Sequence, residues 1–572
     1  MSQSVAQVIV DTLEQAGVKR WYGVPGDTLN YITDAIRTNK NMRWIHVRHE
    51  EVGGFAAGAD SMLTGELTAC AGSCGPGSLH FINGLMESHR NRAPVVLIAS
   101  QIVRDELGFD FPQEVDFKSV YESCSVFCEE IRTPEQAQRL TVMAAQAALA
   151  KRGVAVLIVP ADVSMAPAPK TPYHYTVHHA QPRVLPSESE VQRIADLLNA
   201  GKKIAIYGGS GCELAHDHVV ALAEKLRAPV VHTSRATDFL AHDNPFDVGM
   251  AGMLGYYAGV HTLANCDTLL LLGCDFAWRQ FYPENAKIIQ VDIDNTHIGR
   301  RHPVDVGVVG NIPDTLQALL PLVNARQDDT FLKAALDLYT KDKAKEEKHN
   351  IDQPGRPIHP QYLVETIAKH AADDAIYTAD GGTAMLWCLR HVPSTGKNRR
   401  VISLTHGTMA GAMPQALGAK AAFPERQVIS LSGDGGLAML MGDLLTAIQE
   451  RLPIKVCIIN NGALGFVDLE QKVEGLISAF TDLHNPDFAK VAEAIGFWSR
   501  RVEKSADVDQ AVRDWINEPG PALLDVVTDR FELIMPPKVG ADQVFGTALY
   551  SAKAILAGEG KDVLAMARNL LT

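Results

Sequence analysis

Short apolar strands that end in glycine-rich turns recur in three separate stretches of this 572-residue chain. In each stretch the turn is followed by a helix-like pattern, with apolar residues three or four positions apart. Strands that alternate with helices pair in parallel, because a parallel connection needs a crossover long enough to hold a helix. The sequence therefore predicts an α/β protein built from doubly wound parallel sheets.

Apolar runs of strand length give the positions of the expected strands. They are 21–24, 67–71, 95–99 and 154–159 in the first stretch, 203–207, 229–231, 268–272 and 288–293 in the second, and 375–378, 401–404, 428–432, 455–459 and 522–527 in the third. Two segments without periodicity separate the stretches: a proline-rich one near residue 180, and 353–357, which follows a charged helix at 342–348. We thus expect domains at 1–182, 183–340 and 341–530, and a C-terminal tail at 531–572.

The tail carries apolar residues at helical spacing on both sides of a glycine-rich break at 558–560. These residues are Phe545, Leu549, Ala552 and Leu556 before the break, and Val563, Ala567 and Leu570 after it. The pattern predicts two short amphipathic helices.

Charge and composition narrow the class of protein. A net charge of −14, without a Lys/Arg cluster among aromatic residues, argues against nucleic-acid binding. The N-terminus lacks the features of a secretory leader, and no apolar run reaches the ~18 residues of a membrane-spanning helix, so a cytoplasmic location is expected. The nine cysteines do not show the usual zinc spacing. Small-molecule chemistry fits these features best.

One strand end in the third stretch carries a candidate phosphate and magnesium site. The strand 428–432 runs into Gly433-Asp434-Gly435-Gly436, where glycine lets the backbone approach a phosphate and the carboxylate stands at the carboxyl end of the strand. The 24 residues 436–459 hold a helix and the next strand, which delivers Asn460-Asn461 to the same edge. A carboxylate and an amide oxygen suit magnesium. Either motif alone is more often an ordinary turn; the pair favours a binding site.

The Gly-Asp-Gly motif, followed after some two dozen residues by Asn-Asn, resembles the cofactor motif of thiamine-diphosphate-dependent enzymes. The resemblance implies that Asp434, Asn461 and the carbonyl of Ala463 bind Mg²⁺. It also implies a diphosphate pocket, which would contain Gly433, Asp434, Gly435, Gly436, Asn461, Leu464 and Gly465.

The segment 48–59 resembles a second element of the family, a helix with a face of small residues and Glu50 at its start. In the family, the glutamate at this position hydrogen-bonds the pyrimidine ring of the cofactor and drives formation of the thiazolium ylide. The resemblance therefore implies that Glu50 is the general acid/base. A glutamate in a first helical turn otherwise merely complements the helix dipole.

The segment 405–412 resembles the family's third element, a glycine-rich turn with a large apolar residue. By resemblance, Gly407 and Thr408 contact the cofactor, and Met409 holds it in the bent form that brings its two rings together. A lone methionine after a strand is otherwise core filler. The segments 71–77 and 83–85 resemble the elements that flank the site from a partner subunit, which implies a homo-oligomer, usually a tetramer.

Long matches across the whole chain, among them 243–250, 280–283 and 413–419, resemble the flavin-dependent pyruvate oxidases of this family. Matching positions imply FAD contacts at Gly209, Ser210, Ala251, Gly252, Met253, Leu254, Asp275, Arg279 and Asp292. The residues alone leave FAD open, because the glycines at 208, 209 and 211 lack the G-x-G-x-x-G spacing and Asp292 could simply end a strand.

Two further segments bear on the reaction. Phe466 matches the aromatic residue that helps electrons pass from the thiamine adduct to the flavin. The segment 111–114 matches a loop of the substrate pocket, but Pro112 stands where the relatives have an aromatic residue, which leaves strict preference for pyruvate open. The tail resembles that of the flavin-dependent pyruvate oxidases, which implies that it covers the site at rest and then binds the membrane, where reduced flavin meets the quinone. A terminal amphipathic helix otherwise simply docks on its own domain.

The resemblance as a whole implies an oxidoreductase that uses thiamine diphosphate, Mg²⁺ and FAD. It would convert pyruvate to acetate and CO₂ and pass the electrons to ubiquinone, while bound reversibly through its tail to lipid at the cytoplasmic face of the inner membrane. Acetolactate synthase and a phosphate- and oxygen-dependent pyruvate oxidase stay open as alternatives. A noncatalytic flavin-binding scaffold is an alternative of another class.

Overall fold

The structure is a computed structural model that describes residues 3–170, 174–349 and 356–532, and in the tail 549–551, 553–554, 563–564 and 566. Three six-stranded sheets follow one another along the chain, and we call the parts that hold them the N-terminal, middle and C-terminal units. Every strand pair in the three sheets is parallel. The predicted α/β class with three doubly wound sheets is confirmed.

The N-terminal unit has the strand order β2-β1-β3-β4-β6-β5. Its strands are β1 Arg20–Gly23, β2 Arg43–His46, β3 Thr68–Gly72, β4 Val95–Gln101, β5 Phe127–Glu130 and β6 Val154–Pro160. Its helices are α1 Val5–Gln15, α2 Asn30–Thr38, α3 Glu50–Thr64, α4 Pro76–Leu79, α5 Ile82–Arg90, α6 Phe117–Tyr121, α7 Ala137–Lys151 and α8 Ala161–Met165. The order reverses between β1 and β3, where open α/β sheets leave a crevice at their carboxyl edge.

The middle unit has the order β12-β11-β10-β7-β8-β9. Its strands are β7 Ile204–Gly208, β8 Val230–His232, β9 Asp247–Met250, β10 Thr268–Leu272, β11 Lys287–Asp292 and β12 Val306–Val309. Its helices are α9 Glu188–Ala200, α10 His216–Leu226, α11 Thr237–Leu240, α12 Tyr257–Asn265, α13 Ile312–Leu319 and α14 Thr330–Glu346. Counted within the unit the order is 3-2-1-4-5-6, which is that of dinucleotide-binding sheets, with the crevice between β7 and β10.

The C-terminal unit repeats the order of the first, as β14-β13-β15-β16-β18-β17. Its strands are β13 Ile376–Ala379, β14 Arg399–Ile402, β15 Val428–Gly433, β16 Lys455–Asn460, β17 Trp498–Val502 and β18 Ala522–Val527. Its helices are α15 Pro360–His370, α16 Thr383–His391, α17 Ala412–Ala422, α18 Asp434–Leu440, α19 Leu444–Gln449, α20 Gly465–Val473, α21 Phe488–Ile495 and α22 Val508–Asn517. Here the order reverses between β13 and β15.

Close packing of two helices joins the N-terminal and C-terminal units. Gly418 of α17 lies against the backbone of Ala56 in α3, and a Cβ at residue 418 would be 2.0 Å from the Ala56 carbonyl oxygen. On another side of α3, a Cβ at Gly54 would lie 3.0 Å from the Cα of Gly84 in α5. The small-residue face predicted for α3 therefore does allow neighbouring backbones to approach closely.

All thirteen expected strands are present, and their ends differ from the prediction by at most two residues. The prediction omitted five strands, and each of them lies at an edge of its sheet: β2, β5, β9, β12 and β17. The predicted domain boundaries stay predictions, although each sheet lies inside its predicted domain. From residue 549 onward, the tail residues that the structure describes are helical. The two-helix prediction also depends on residues that lie outside the described part of the tail: Phe545, Ala552, Leu556, Ala567 and Leu570.

Candidate active site

The carboxyl ends of β15 and β16 bring Asp434 and Asn460 side by side. Gly433 is the register partner of Ile459, so the next residue of each strand stands at the same level of the sheet edge. Asp434 begins α18, and its Oδ2 accepts a hydrogen bond from the backbone N–H of Gly462 at 2.8 Å. The loop that follows β16 is thus tied directly to the Asp434 carboxylate.

Asn461 and Ala463 lie in that same loop. The side-chain oxygen of Asn461 accepts a hydrogen bond from the N–H of Ala463 at 3.1 Å, and Gly462 between them has a φ of +67° that favours glycine. Gly465 packs against the loop so closely that a Cβ there would lie 2.9 Å from Nδ2 of Asn461. The structure therefore brings together the three residues predicted to bind magnesium.

The environment of Asp434 suits a divalent cation. The residue is 3% exposed, and burial raises the pKa of its carboxyl above the ordinary value, although hydrogen bonds from Asn485, Gly435 and Gly462 oppose this. A cation beside the carboxylate would compensate its desolvated charge, and oxygen ligands of this type are those that Mg²⁺ prefers. Asp434, Asn461 and the Ala463 carbonyl would hold the ion.

The turn 405–412, which we call the pyrimidine turn, lies over the segment that starts at Gly433 and carries Asp434, which we call the diphosphate loop. Gly407 has a φ of +73° with open space where a side chain would be, and Ala410 has a φ of +66°, which is rare for alanine. A Cβ built on Gly435 would lie 3.3 Å from Cε of Met409 and 3.2 Å from Cδ2 of Leu464. Met409 and Leu464 thus converge on the loop that carries Asp434, as a pocket for a bent cofactor requires.

Glu50 is the first residue of α3, behind His49, whose ring accepts a hydrogen bond from the N–H of Glu51. The Glu50 carboxyl is buried, with Oε2 at 2.9 Å from Nδ1 of His80. The His80 ring in turn stacks on that of His49, with the ring centroids 4.7 Å apart. These contacts place Glu50 in the N-terminal unit, at the carboxyl edge of its sheet, and not among the residues around Asp434.

Asn83 connects the surroundings of Glu50 with the pyrimidine turn. Its side-chain nitrogen donates to Oε1 of Glu51 at 2.7 Å, and its oxygen lies 2.8 Å from Nε2 of His406. The same nitrogen lies 3.4 Å from the hydroxyl oxygen of Thr408. The turn that carries Gly407, Thr408 and Met409 is therefore held to the N-terminal unit beside the start of α3.

The predicted FAD residues collect at the carboxyl edge of the middle sheet. Gly209 follows β7 and packs on the turn after β10, where its Cβ would be 2.3 Å from the carbonyl oxygen of Gly273. Ser210 is exposed at the same edge, and the segment 251–254 follows β9 with Gly252 at a φ of +113°. Two glycine turns in contact across the point where strand order reverses make a groove suited to a dinucleotide.

The acidic residues predicted for FAD are engaged by protein groups. Asp275 forms ion pairs with Arg300 and Arg301; burial raises its pKa, but the two arginines outweigh this and hold the pKa below its ordinary value. Asp292 accepts a hydrogen bond from the N–H of Asp294 at 3.0 Å and lies 3.1 Å from Nδ1 of His297. Arg279 is exposed in a short 3₁₀ helix, Arg279–Phe281. Asp275 and Asp292 would thus fix the loops at the rim of a FAD site, whereas their direct contact with FAD stays a prediction.

Helix α16 joins the two candidate cofactor sites. Its first residue, Thr383, is at the thiamine side, where a Cβ on Gly465 would lie 3.2 Å from its methyl group. Near its other end, Arg390 donates to the carbonyl oxygens of Leu254 and Gly255 at 3.1 and 2.6 Å. A helix of nine residues is about 14 Å long, so the middle-unit loop lies within that order of distance from the thiamine site.

Phe466 is the second residue of α20 and is partly buried beside Gly465. The other end of α20 carries a buried ion pair between Lys472 and Asp468, 2.7 Å apart. The Lys472 ammonium lies 5.3 Å from the ring centroid of Phe531 and 5.6 Å from that of Tyr550. The described part of the tail is therefore docked on the helix that carries Phe466.

Sequence reasoning missed three residues of the site. Asn485 donates to Oδ2 of Asp434 at 2.7 Å and to the Asn460 side-chain oxygen at 3.1 Å, and His80 contacts Glu50. Asp380 accepts hydrogen bonds at the base of the pocket from the N–H groups of Ala412 and Gly433. Only Asp380 had a sequence signal, because it lies two residues after a predicted strand and precedes two glycines, as Asp434 does.

Three family models match the chain, one for each sheet. The model described as thiamine pyrophosphate enzyme, N-terminal TPP binding domain, matches residues 3–120. The model of the central domain matches 191–319, and that of the C-terminal TPP binding domain matches 380–526. Together they cover more than half of the chain.

Relatives match the chain along most of its length. A putative thiamine pyrophosphate-containing protein of Bacillus subtilis is 32% identical over 99% of this chain and 99% of its own. The pyruvate oxidase of Lactiplantibacillus plantarum is 30% identical over 91% of this chain and 87% of its own. The large subunit of acetolactate synthase isozyme 1 of Escherichia coli is also 30% identical, over 93% of this chain and 95% of its own. Identity therefore does not separate the two activities.

Proposed function

Because the chain belongs to the thiamine pyrophosphate enzyme family, we propose that it oxidatively decarboxylates pyruvate to acetate and CO₂ and passes the electrons through FAD to a membrane quinone. Pyruvate enters the proposal from the name of one relative and from the sequence resemblance. The balanced half-reaction takes pyruvate and water to acetate, CO₂, two protons and two electrons. FAD is the two-electron acceptor in the protein.

The observation that carries the proposal is the position of the middle sheet. Its 3-2-1-4-5-6 strand order is that of dinucleotide-binding folds, and its loop 251–255 is held by Arg390 on a helix that starts beside Gly465. A flavin in the groove of this sheet would lie close to a cofactor held at Asp434. Such proximity favours electron transfer between the two.

The protein residues have separate roles. Asp434, Asn461 and the Ala463 carbonyl would hold Mg²⁺, which would neutralise the charge of the diphosphate, and Met409 and Leu464 would shape the pocket above it. Bound thiamine diphosphate supplies the electron sink for decarboxylation, and bound FAD takes up the two electrons. Glu50 would exchange the proton on the pyrimidine, and Phe466, which follows Gly465 at the start of α20, would help electrons pass to the flavin. Buried surroundings limit the access of water to the reacting carbon.

A second copy of the chain completes the site in this proposal. Glu50 contacts His80 and not the residues around Asp434, although both belong to one catalytic cycle. Apolar side chains near α20 are also exposed in the single chain: Val467, Leu476, Ile477 and Phe480. Exposed apolar groups beside an incomplete site favour a homo-oligomer in which the N-terminal unit of one subunit faces the C-terminal unit of another. We expect a tetramer.

Two rival activities use the same units. Acetolactate synthase joins two pyruvate-derived fragments, and its sequence is as close to this chain as that of the pyruvate oxidase. An oxidase that uses phosphate and oxygen would release acetyl phosphate instead of acetate. The docking of the tail on α20 favours the quinone-linked activity, because it couples a candidate membrane segment to the helix that carries Phe466.

Product analysis separates these activities. The full-length protein, supplied with thiamine diphosphate, Mg²⁺, FAD and pyruvate, is assayed with a dye as electron acceptor, with and without phosphate. With a dye that accepts two electrons, we expect acetate and reduced dye in equal amounts, unaffected by phosphate. Acetolactate as the sole product would contradict the proposal, and so would acetyl phosphate formed only with phosphate. A protein that binds both cofactors but leaves pyruvate intact would support the noncatalytic scaffold.

A further inference from the structure

Asp380 lies at the point where the strand order of the C-terminal sheet reverses, directly after β13. It is 2% exposed. Its Oδ1 accepts a hydrogen bond from the N–H of Ala412 at 2.8 Å, and its Oδ2 accepts one from the N–H of Gly433 at 3.1 Å. The two carboxylate oxygens are therefore shared between two different segments of the chain.

Each of those segments carries one half of the candidate cofactor site. Ala412 begins α17, directly after the turn that holds Gly407 and Met409, and Gly433 directly precedes Asp434. Asp380 thus connects the pyrimidine turn with the diphosphate loop through a single rigid group. No side-chain rotation can change one contact without disturbing the other.

The packing around Asp380 fixes its position. A Cβ on Gly436 would lie 2.2 Å from Oδ2 of Asp380, and the N–H of Gly381 donates to the carbonyl oxygen of Thr408 at 3.0 Å. The N–H of Asp380 itself donates to Leu431 in β15 at 3.2 Å. The carboxylate cannot move away from either loop without a backbone shift.

The electrostatic surroundings of Asp380 make its charged carboxylate unfavourable for the free energy of folding. In the described part of the chain it forms no ion pair, and burial raises the pKa of its carboxyl to about 7, opposed only by the N–H groups of Ala412 and Gly433. A buried carboxyl without a cation partner reduces stability relative to an apolar residue. Its retention at this position therefore points to a role in the geometry of the pocket.

We propose that Asp380 is a positioning residue that holds the pyrimidine turn and the diphosphate loop at one spacing, so that both halves of thiamine diphosphate are bound together. The inference rests on membership of the family and is independent of the proposed oxidation of pyruvate.

The substitution Asp380→Asn tests the proposal, because an amide has only one acceptor oxygen. One loop keeps its hydrogen bond, whereas the N–H of the other faces an NH₂ group and loses its acceptor. With Mg²⁺ and the cofactor-stripped full-length chain, we expect the Kd of thiamine diphosphate to rise about tenfold or more. Inorganic diphosphate would contact only one of the two loops, so its Kd, measured by competition, should rise by a smaller factor than that of thiamine diphosphate.

Asp238→Asn is the matched control. The Asp238 carboxylate is buried and accepts a hydrogen bond from the backbone N–H of Arg400 at 2.7 Å. It also forms an ion pair with the guanidinium of Arg400, and it touches neither cofactor loop. Asp238→Asn should lower the unfolding temperature of the protein but leave its affinity for thiamine diphosphate unchanged. If the asparagine variant does not fold, Asp380→Ser replaces it in the test. The single serine hydroxyl can reach at most one of the two loops, and the smaller side chain does not crowd them.

Three results would overturn the inference. They are an unchanged affinity of the Asp380 variant for thiamine diphosphate, an equal loss for inorganic diphosphate, and an equal loss in Asp238→Asn. Binding is measured without pyruvate, so a parent protein that binds the cofactor but does not oxidise pyruvate would contradict the proposed function and leave this inference intact.

Discussion

Asp434 illustrates how single residues of the site share their hydrogen bonds. One carboxylate oxygen accepts from Gly435, and the other from both Gly462 and Asn485. These donors fix the direction of the carboxylate and leave its remaining lone pairs for a cation. The site is thus preorganised by neutral donors, which orient the negative charge without cancelling it.

Glu50→Gln should lower pyruvate turnover by about 10²-fold or more, because proton transfer by a positioned side chain contributes about 10²–10⁴-fold. The affinity for thiamine diphosphate should change little, since Glu50 lies apart from Asp434 and the diphosphate loop. Steady-state kinetics and a cofactor titration measure the two effects. Glu66→Gln, which removes a partly exposed carboxylate that pairs with Lys19 in the same unit, should behave like the parent. Equal turnover in the parent and Glu50→Gln would contradict the assigned role.

Asn485→Ala should lower the affinity for Mg²⁺ by about 10–100-fold, because loss of a residue that hydrogen-bonds a metal ligand commonly has an effect of this size. The physical reason is that Asp434 loses its 2.7 Å hydrogen bond and the tie to Asn460. A magnesium titration of cofactor binding measures the effect. Asn265→Ala is the control, because Asn265 is exposed and its side chain donates only to the carbonyl of His261. The assignment fails if the two variants bind Mg²⁺ equally well.

At the residue scale, local sequence patterns predicted the residues that sit on strand ends. Asp434, Asn461 and Ala463 are close in sequence to a buried strand, so their position follows from the direction of that strand. Asn485 lies in an aperiodic segment 24 residues after Asn461, and only the folded path of the chain brings it to Asp434. No local pattern predicts such a contact.

At the scale of elements, the helix pair α3 and α17 controls how the N-terminal unit meets the C-terminal unit. The two helices approach closely through Gly418 and Ala56. The start of α3 carries Glu50, and α17 follows the turn that carries Met409. Their packing therefore sets the position of two functional segments at once.

Gly418→Ala should destabilise the protein by about 1–3 kcal/mol, because its Cβ would lie 2.0 Å from the backbone oxygen of Ala56 and neither backbone can yield without a shift. The midpoint of thermal unfolding reports the change. Gly442→Ala is the control, since a Cβ at residue 442 meets no atom within 4 Å. An unfolding midpoint equal to that of the control would show that the helices do not pack as closely as described.

The strands show which elements a sequence reveals. Central strands such as β4 and β6 are buried on both faces, so they appear as continuous apolar runs. The five strands that the prediction omitted all lie at sheet edges, where β2 and β17 are only partly buried and carry arginines. An edge strand pairs on one side only, and its sequence is under less pressure to be apolar.

At the scale of the whole molecule, three sheets of related topology carry different parts of the proposed site. The first and third share one strand order, whereas the middle sheet has the 3-2-1-4-5-6 order. The sequence predicted three sheets and their succession, because glycine turns and linkers are local features. The strand orders and the bridge formed by α16 depend on long-range pairing, which a single sequence does not display.

The described part of the tail is docked, and this arrangement leads to a prediction for the proposed membrane association. Tyr550 packs with Ala554 and Met566 and lies over Lys472, while Lys553 donates to the carbonyl of Gly475 at 2.8 Å. Tyr550→Ala should therefore release the tail and increase the fraction of protein that cosediments with phospholipid vesicles before pyruvate is added. A chain that ends at Glu532 should not cosediment. Equal cosedimentation of the truncated and full-length chains would contradict a membrane role for the tail.

The most direct test of the proposed function follows the flavin itself. The full-length protein, loaded with thiamine diphosphate, Mg²⁺ and FAD, is mixed with pyruvate in the absence of oxygen while the visible absorbance of the flavin is recorded. The proposal predicts that the flavin bleaches completely, with one CO₂ and one acetate released for each FAD reduced, and that Glu50→Gln bleaches far more slowly. A flavin that stays oxidised while pyruvate is consumed would contradict it, because FAD would then take no part in the reaction.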